Sequence, residues 1–296
     1  ASLRWRVEAM ARVAYVNGRY VAYREALVHI DDRGYQFADG VYEVIAVERG
    51  RLVDEGLHLR RLERSLAELK IALAMPEAPL KAVMREVLRR NRVHDGTIYI
   101  QMTRAVAPRD HAFPKDALTQ VVMTARRARP TNPKTATEGA RVITVPDLRW
   151  ARCDIKSIAL LPNILGKQQA REAGAFEAWQ VDRDGNVTEG TSTNAWIVTK
   201  AGEVVTRAAT NAILNGVTRL GVIRVIEQAG LRFVERPFSV VEAKEAREAF
   251  LTSTTAYVTP VVRIDDSVVG DGKPGPLARE LGQFYRRYVE AGGQDA

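Results

Sequence analysis

Residues 125–139, ARRARPTNPKTATEG, carry Pro130 and Pro133, many polar side chains and no apolar period, so neither an amphipathic helix nor a half-buried strand is written there. This break constrains the fold more than any other stretch. A chain of 296 residues interrupted in this way is expected to bury its apolar surface in two bodies, each with its own core. Taking residues 129–140 as an interdomain linker leaves an N-terminal domain over residues 12–128 and a larger C-terminal domain over residues 141–296.

Both halves mix strands with helices. Asn17-Gly18 is a hairpin signal between Ala14–Val16 and Arg19–Val21, and Arg49-Gly50 plays the same part between Tyr42–Val47 and Arg51–Val53. Leu59, Leu62, Leu66, Leu69 and Leu73 then recur at three- and four-residue steps, which predicts a helix running to about Met75-Pro76. A second helix is expected over Leu80–Asn91, with strands over 96–103 and 119–124 flanking the loop 105–114. Beyond the linker the pattern predicts strands at 141–145, 176–181, 194–198, 249–252 and 258–263, and helices at 164–172, 217–228 and 277–289. Gly230 suits a helix C-terminus, and Ser239 to Glu242 has capping-box spacing. Neither βαβ regularity nor a GxGxxG is present. The expected architecture is therefore two α/β domains of the α+β mixed kind.

Composition removes several functions. A hydrophobic fraction of 46% and a charged fraction of 27% are those of a globular chain. No apolar run approaches the roughly 18 residues of a membrane span. The opening ASLRWRVEAMARVAYVNG lacks the apolar core of a signal peptide. A cytoplasmic protein is expected, with residues 1 to about 11 as a leader and Met10 as a natural start. The single cysteine, Cys153, excludes an intrachain disulfide, and His29, His58, His94 and His111 form no HExxH, so no metal site is expected. The net charge of +8 is dispersed among acids, which fits a site for small anions better than a nucleic-acid surface.

Against this background one lysine stands apart. Lys156 lies between Ile155 and Ser157-Ile158-Ala159-Leu160-Leu161, a segment expected to be drawn inward, where desolvation frees an amine lone pair for attack on a carbonyl. The segment accommodates equally a lysine that pairs with Asp154. A cofactor that forms a Schiff base and accepts an electron pair needs an anion at its ring nitrogen, a phosphate cradle and a clamp for the substrate carboxylate. Glu189, beside Thr191, Ser192, Thr193 and Asn194, is a candidate for the first, with a solvated turn acid as the alternative. Asn215-Gly216-Val217-Thr218 at a predicted helix start and the hydroxyls of Thr252, Ser253, Thr254 and Thr255 are candidates for the second. Arg109 and His111, two apart in an extended loop, face one side and suit a planar carboxylate. A surface loop with ordinary charges is the competing reading.

Taken together, RGYQFADGVYEV (33–44), TRAVAPRDHAFP (103–114), RWARCDIKS (149–157), VTEGTSTN (187–194), ILNGVTR (213–219) and TSTTAYVTPV (252–261) resemble the class IV, fold-type IV pyridoxal-phosphate aminotransferases, and within them the D-amino-acid branch. The resemblance spans roughly residues 15–288. It implies two α/β domains with pyridoxal 5'-phosphate in the cleft between them, and a homodimer. By the same resemblance Lys156 is the Schiff-base lysine and the acid/base, Glu189 the ring-nitrogen partner and Arg61 the phosphate arginine. Gly216, Val217, Thr218, Ser253 and Thr254 then complete the cradle, with Ser192, Thr193 and Asn194 beside the cofactor. Tyr42, Val44, Thr255, Arg109 and His111 contact the substrate, the last two reaching the neighbouring subunit's site.

The implied activity is ping-pong transfer of an amino group from a D-amino acid of the D-alanine or D-glutamate type to a 2-oxo acid such as 2-oxoglutarate. A branched-chain L-amino-acid aminotransferase, an (R)-amine transaminase and an aminodeoxychorismate lyase share the fold and are the alternatives. A basic, noncatalytic nucleic-acid module is the rival from another class. Asp154 and Ser157 are expected to position Lys156, Cys153 to pack, and Lys167 to be an ordinary helix lysine. Three positions depart from the family pattern. Ala38 stands where glycine is usual, a change expected to matter little, while Tyr257 often gives way to glutamate and Asp110 sits between the clamp residues.

Overall fold

In the computed structural model, residues 13–128 and 133–293 are described. The expected leader and residues 129–132 of the expected linker lie outside them. The chain divides into two compact units, the first formed by residues 13–128 together with Lys156–Ala159 and the second by residues 133–155 and 160–293.

Among the described residues, the first unit holds one antiparallel sheet built from β1 (Val13–Val16), β2 (Arg19–Ala22), β3 (Gly40–Glu48), β4 (Arg51–Leu52), β5 (Gly96–Thr103) and β6 (Gln120–Arg127). The order across it is β2-β1-β6-β5-β3-β4. Asn17 and Gly18 take φ values of 45° and 89°, the left-handed pair that a two-residue hairpin requires. Helices α1 (Arg33–Phe37), α2 (Glu55–Glu68) and α3 (Glu77–Asn91) complete the unit, α2 packing on β3 and α3 on β1 and β6. Leu59, Leu62 and Leu66 are buried along α2. The helix nonetheless stops at Glu68, well before the end that the leucine spacing predicts. Lys70 turns to φ +53° and the Ile71 amide bonds back to the Leu66 carbonyl, a closing turn that leaves Leu73 outside. Helix α3 opens at Glu77, three residues before Leu80, because Pro79 falls in the first turn, where a missing N–H costs nothing.

The second unit contains helices α4 (Pro133–Glu138), α5 (Leu161–Glu172), α6 (Val217–Gln228), α7 (Val240–Glu245) and α8 (Pro276–Glu290). Its strands are β7 (Ala140–Pro146), β8 (Glu177–Val181), β9 (Val187–Gly190), β10 (Asn194–Val198), β11 (Val204–Thr206), β12 (Phe233–Glu235), β13 (Glu248–Ser253), β14 (Tyr257–Ile264) and β15 (Ser267–Val268). They run β12-β11-β10-β13-β14-β7-β8-β9, with β15 beside β14. β7 pairs parallel with β8 across α5, and β11 with β12 across α6, while β13 and β14 form an antiparallel hairpin. The core gathers Trp179, Val187, Ile197, Phe238 and Leu251. Part of the expected linker is therefore structured. β6 continues to Arg127 and α4 begins at Pro133, a residue whose fixed φ suits the first helical position.

Ala38 carries more consequence than its size suggests. It ends α1 in the left-handed region, with φ 56° and ψ 29°, a conformation that an L-residue with a Cβ occupies at a cost and glycine occupies freely. We predict that Ala38→Gly raises unfolding free energy by about 0.5–1 kcal/mol, measured by urea denaturation. Equal or lower stability would show that the strain is absorbed elsewhere.

Candidate active site

β3 alternates. Tyr42 and Val44 are half-buried on one face, whereas Val41, Glu43, Ile45 and Val47 are fully buried on the other, toward the core. Lys156 joins this strand through its main chain. Its carbonyl accepts from the Tyr42 amide at 3.0 Å, Ile158 donates to the Gly40 carbonyl at 3.1 Å, and Ser157 bridges Val41. From the other side its own amide donates to Ser65 Oγ on α2 at 3.2 Å. Lys156 Nζ lies 4.2 Å from the centre of the Tyr42 ring. This pairing groups Lys156–Ala159 with the first unit, although a division by sequence alone gives the lysine to the C-terminal domain. The lysine is half-buried between Ile155 and Ser157, but the apolar run does not stay inside. Ala159 is exposed and Leu161, at the start of α5, is 67% exposed.

Behind Tyr42, Glu43 is completely buried. Its carboxylate accepts from Arg61 Nε at 2.7 Å and Nη2 at 2.8 Å and meets His58 Nδ1 at 2.7 Å. The expected phosphate arginine is thus held by a carboxylate that sequence reasoning passed over. Burial opposes ionisation of Glu43, but the Arg61 charge and the hydrogen bonds from Arg61 and His58 outweigh it and hold the carboxyl well below its ordinary range. Burial also depresses the His58 pKa against the pull of Glu43, and the positive charges of Arg61 and Lys156 depress it further.

The expected carboxylate clamp also lies in the first unit. Arg109 and His111 are exposed, and both approach Phe37: the Arg109 guanidinium carbon is 4.8 Å from the ring centre and the His111 ring 5.5 Å. The loop bends at both positions rather than running extended, and what brings the two side chains together is the shared Phe37 ring. Asp110 is turned onto its own loop, where Oδ1 accepts from the Ala112 amide at 3.2 Å.

In the second unit Glu189 is a strand residue only 6% exposed, not a solvated turn acid. The Leu214 amide donates to its two oxygens at 3.1 and 3.2 Å, Asn194 Nδ2 donates to Oε2 at 3.0 Å, and Arg149 Nη1 donates to Oε1. Arg149 is itself gripped by Asp147 at 2.9 and 2.7 Å. Thr191 and Ser192 hydroxyls donate to buried Glu177 at 2.5 and 2.9 Å, and Lys167, expected to be ordinary, reaches the same carboxylate at 3.3 Å. Asp154 accepts two bonds from Arg152, at 2.9 and 3.0 Å. Cys153 fits a packing role, its thiol pushed up to about 11 by burial. Ser253 Oγ closes the β13–β14 turn by accepting from the Ala256 amide at 3.1 Å, and Thr254 and Thr255 follow in that turn. Tyr257, at φ +51°, packs its ring edge against Tyr285 of α8 at 5.7 Å.

The family model for Amino-transferase class IV matches residues 40–264. The chain belongs to the class IV aminotransferases. A D-alanine aminotransferase from Bacillus licheniformis is 45% identical over 90% of this chain and 93% of its own length. One from Staphylococcus haemolyticus is 41% identical over 94% of this chain and 98% of its own. Among solved structures, the branched-chain amino acid aminotransferase of Thermobaculum terrenum in its PLP-bound holo form aligns at a TM-score of 0.82 with 25% identity, covering 96% of this chain and 95% of that one.

This aminotransferase therefore has the mixed α/β fold-type IV architecture and works with pyridoxal 5'-phosphate. Its residues fit that group. The N-terminus of α6 begins at Gly216 without any side-chain cap, so the first-turn amides at Val217 and Thr218 suit a phosphate. A Cβ at Gly216 would stand 2.2 Å from Asn194 Oδ1, and glycine thereby keeps the Glu189 support in place. Among the described residues Thr193 Oγ1 is buried with no hydrogen-bond partner, leaving a donor for a bound group. No set of three or more His, Cys, Asp or Glu suited to a metal ion occurs among the described residues, and no helix there is long and apolar enough to cross a membrane.

Glu43 and His58 give this aminotransferase an acid-sensitive core. Both have folded pKa values below their ordinary 4.5 and 6.5, so the unfolded chain binds protons first, and the stability they add is present above those values and lost as pH falls. Urea midpoints should fall from pH 7 to pH 4, with Glu43→Gln flattening the fall below about pH 4.5. An unchanged slope in that variant would assign the acid loss to other carboxylates.

Proposed function

We propose that this enzyme transfers the amino group of a D-amino acid, D-alanine foremost, to a 2-oxo acid such as 2-oxoglutarate, in two half-reactions on one site. The observation that carries the choice of substrate is the convergence of Arg109 and His111 on the Phe37 ring. It offers a forked guanidinium and an imidazole to a planar carboxylate. The D-alanine aminotransferases named among the relatives support the same choice.

Bound pyridoxal phosphate supplies an aldehyde carbon for the amine and a conjugated ring that takes up the electron pair left at the substrate Cα. Lys156 Nζ would be the group that holds that aldehyde carbon in the resting enzyme, and its freed amine would be the base placed to take the proton from the substrate Cα. Its main chain is tied to β3 and to Ser65, so only the side chain need move. Glu189 would face the ring nitrogen and keep it protonated. Arg149, Asn194 and the Leu214 amide fix its carboxylate for that task. Arg61, Gly216, Val217, Thr218, Ser253 and Thr254 would hold the phosphate, and Ser192 and Thr193 would line the cofactor. Tyr42, Val44 and Thr255 would border the substrate.

A donor panel of D- and L-alanine, D- and L-glutamate, L-leucine and an (R)-arylalkylamine with matching oxo acids tests the reading. D-Alanine with 2-oxoglutarate should turn over fastest, and Lys156→Ala should lower kcat by at least about 10⁴-fold with loss of the visible cofactor band. L-Leucine as best donor with D-alanine inert would place the enzyme with the branched-chain members.

We further infer a homodimer in which Arg109 and His111 serve the partner's site. Exposed Leu27, Ile30, Tyr35 and Leu118 on the same unit supply apolar surface for a subunit contact. Mixing Lys156→Ala with Arg109→Ala after mild dissociation should restore turnover at low D-alanine concentration above that of either variant alone, since one site of each hybrid would be complete. No gain, with hybrids verified by mass, would place the clamp and the lysine in one chain.

A further inference from the structure

Arg33 lies in α1, outside every role assigned so far. Its side chain is 4% exposed, and a buried guanidinium must satisfy its donors. Nε donates to Asp39 Oδ2 at 2.8 Å. Nη1 donates to the carbonyls of Asp110 at 2.5 Å and Ala112 at 3.2 Å, and Nη2 to that of His111 at 3.3 Å. Three successive carbonyls of the clamp loop thus hang on one planar group. The Arg33 amide adds a bond to the Ala105 carbonyl at 3.0 Å, where the loop begins.

Phe37, one helical turn along α1, completes the support. Its ring has Arg33 at 4.9 Å, Arg109 at 4.8 Å and the His111 ring at 5.5 Å. Asp39 is shared with Arg104, at 2.8 and 3.0 Å. Arg104 in turn donates to the Leu69 and Lys70 carbonyls at 2.8 and 3.0 Å and lies 3.5 Å over the Phe113 ring. The loop is consequently fastened at its backbone and at its far aromatic residue, while the two clamp side chains stay exposed.

We propose that Arg33 and Phe37 are positioning residues that set the substrate specificity of this aminotransferase by holding the Arg109–His111 loop in register for a carboxylate. The inference rests on the clamp reading above. Lysine at 33 keeps a charge for Asp39 but has three donors on a single atom, so it cannot span Asp39 and three carbonyls. Leucine at 37 keeps apolar bulk and removes the ring on which both arginines and the histidine rest.

The test is steady-state kinetics of the holoenzyme with D-alanine and with an (R)-arylalkylamine, combined with hydrogen exchange over residues 105–114. Arg33→Lys and Phe37→Leu should each raise the D-alanine KM by about tenfold or more, leave kcat within about threefold, preserve the visible cofactor band and speed exchange in the loop amides. The amine's KM should move far less. A D-alanine KM within twofold of wild type in both variants, while Arg109→Ala raises it, would overturn the proposal and leave the clamp standing. Equal losses on D-alanine and the amine would also overturn it, as the mark of a merely structural role. An unchanged D-alanine KM in Arg109→Ala would remove the clamp reading and the proposal together.

Discussion

The molecule depends on a strand pairing that the order of the chain conceals. Lys156, Ser157 and Ile158 arrive from the second half of the sequence and dock by main-chain bonds on Gly40, Val41 and Tyr42 of β3. Backbone pairing constrains position without using side chains. The lysine can therefore be both firmly located and chemically free, with its amine over the Tyr42 ring rather than tied up in holding the fold.

A second regularity is that several of the charges proposed to act are each braced by at least one buried or half-buried partner of opposite sign. Glu43 and His58 lie behind Arg61, Arg149 and Asp147 behind Glu189, and Asp39 behind Arg33 and Arg104. Asp39 shows the electrostatics: burial works against its charge, yet hydrogen bonds from Arg104 and Arg33 bring its pKa below the ordinary value. Such pairs recover the desolvation of each partner only when geometry and extra hydrogen bonds are good. They contribute orientation, which a transferase acting on small anions requires.

Much of this was legible in the sequence, and the remainder was hidden for physical reasons. Asn17-Gly18, Gly230 and Ser239-Glu242 mark their turns and caps because each depends on local backbone chemistry, and α6 occupies 217–228 as its pattern predicts. The early end of α2 was not legible, since Leu69 and Leu73 continue the period while a turn at Lys70 closes the helix. Lys156, Glu189, Arg109 and His111 stand out because each has an unusual local setting. Glu43 and Arg33 looked like ordinary charged residues, and their meaning comes from partners up to 79 positions away. The one available hint was Glu43 within an otherwise apolar stretch of a strand, where an acid needs a buried counter-charge.

The two-residue period of β3 has a consequence for how this enzyme can diversify. Positions 42 and 44 look toward the lysine's side of the strand, while 41, 43, 45 and 47 are committed to the core. One strand thus carries two independent inheritances. On the proposed placement of Tyr42 and Val44 beside the substrate, changes at the first set retune which side chains are admitted without touching the packing that keeps Arg61 and α2 in place, whereas a change at the second set disturbs that packing. Variation is tolerated where the pleat faces outward, and the scaffold is shielded from it by a single peptide's offset.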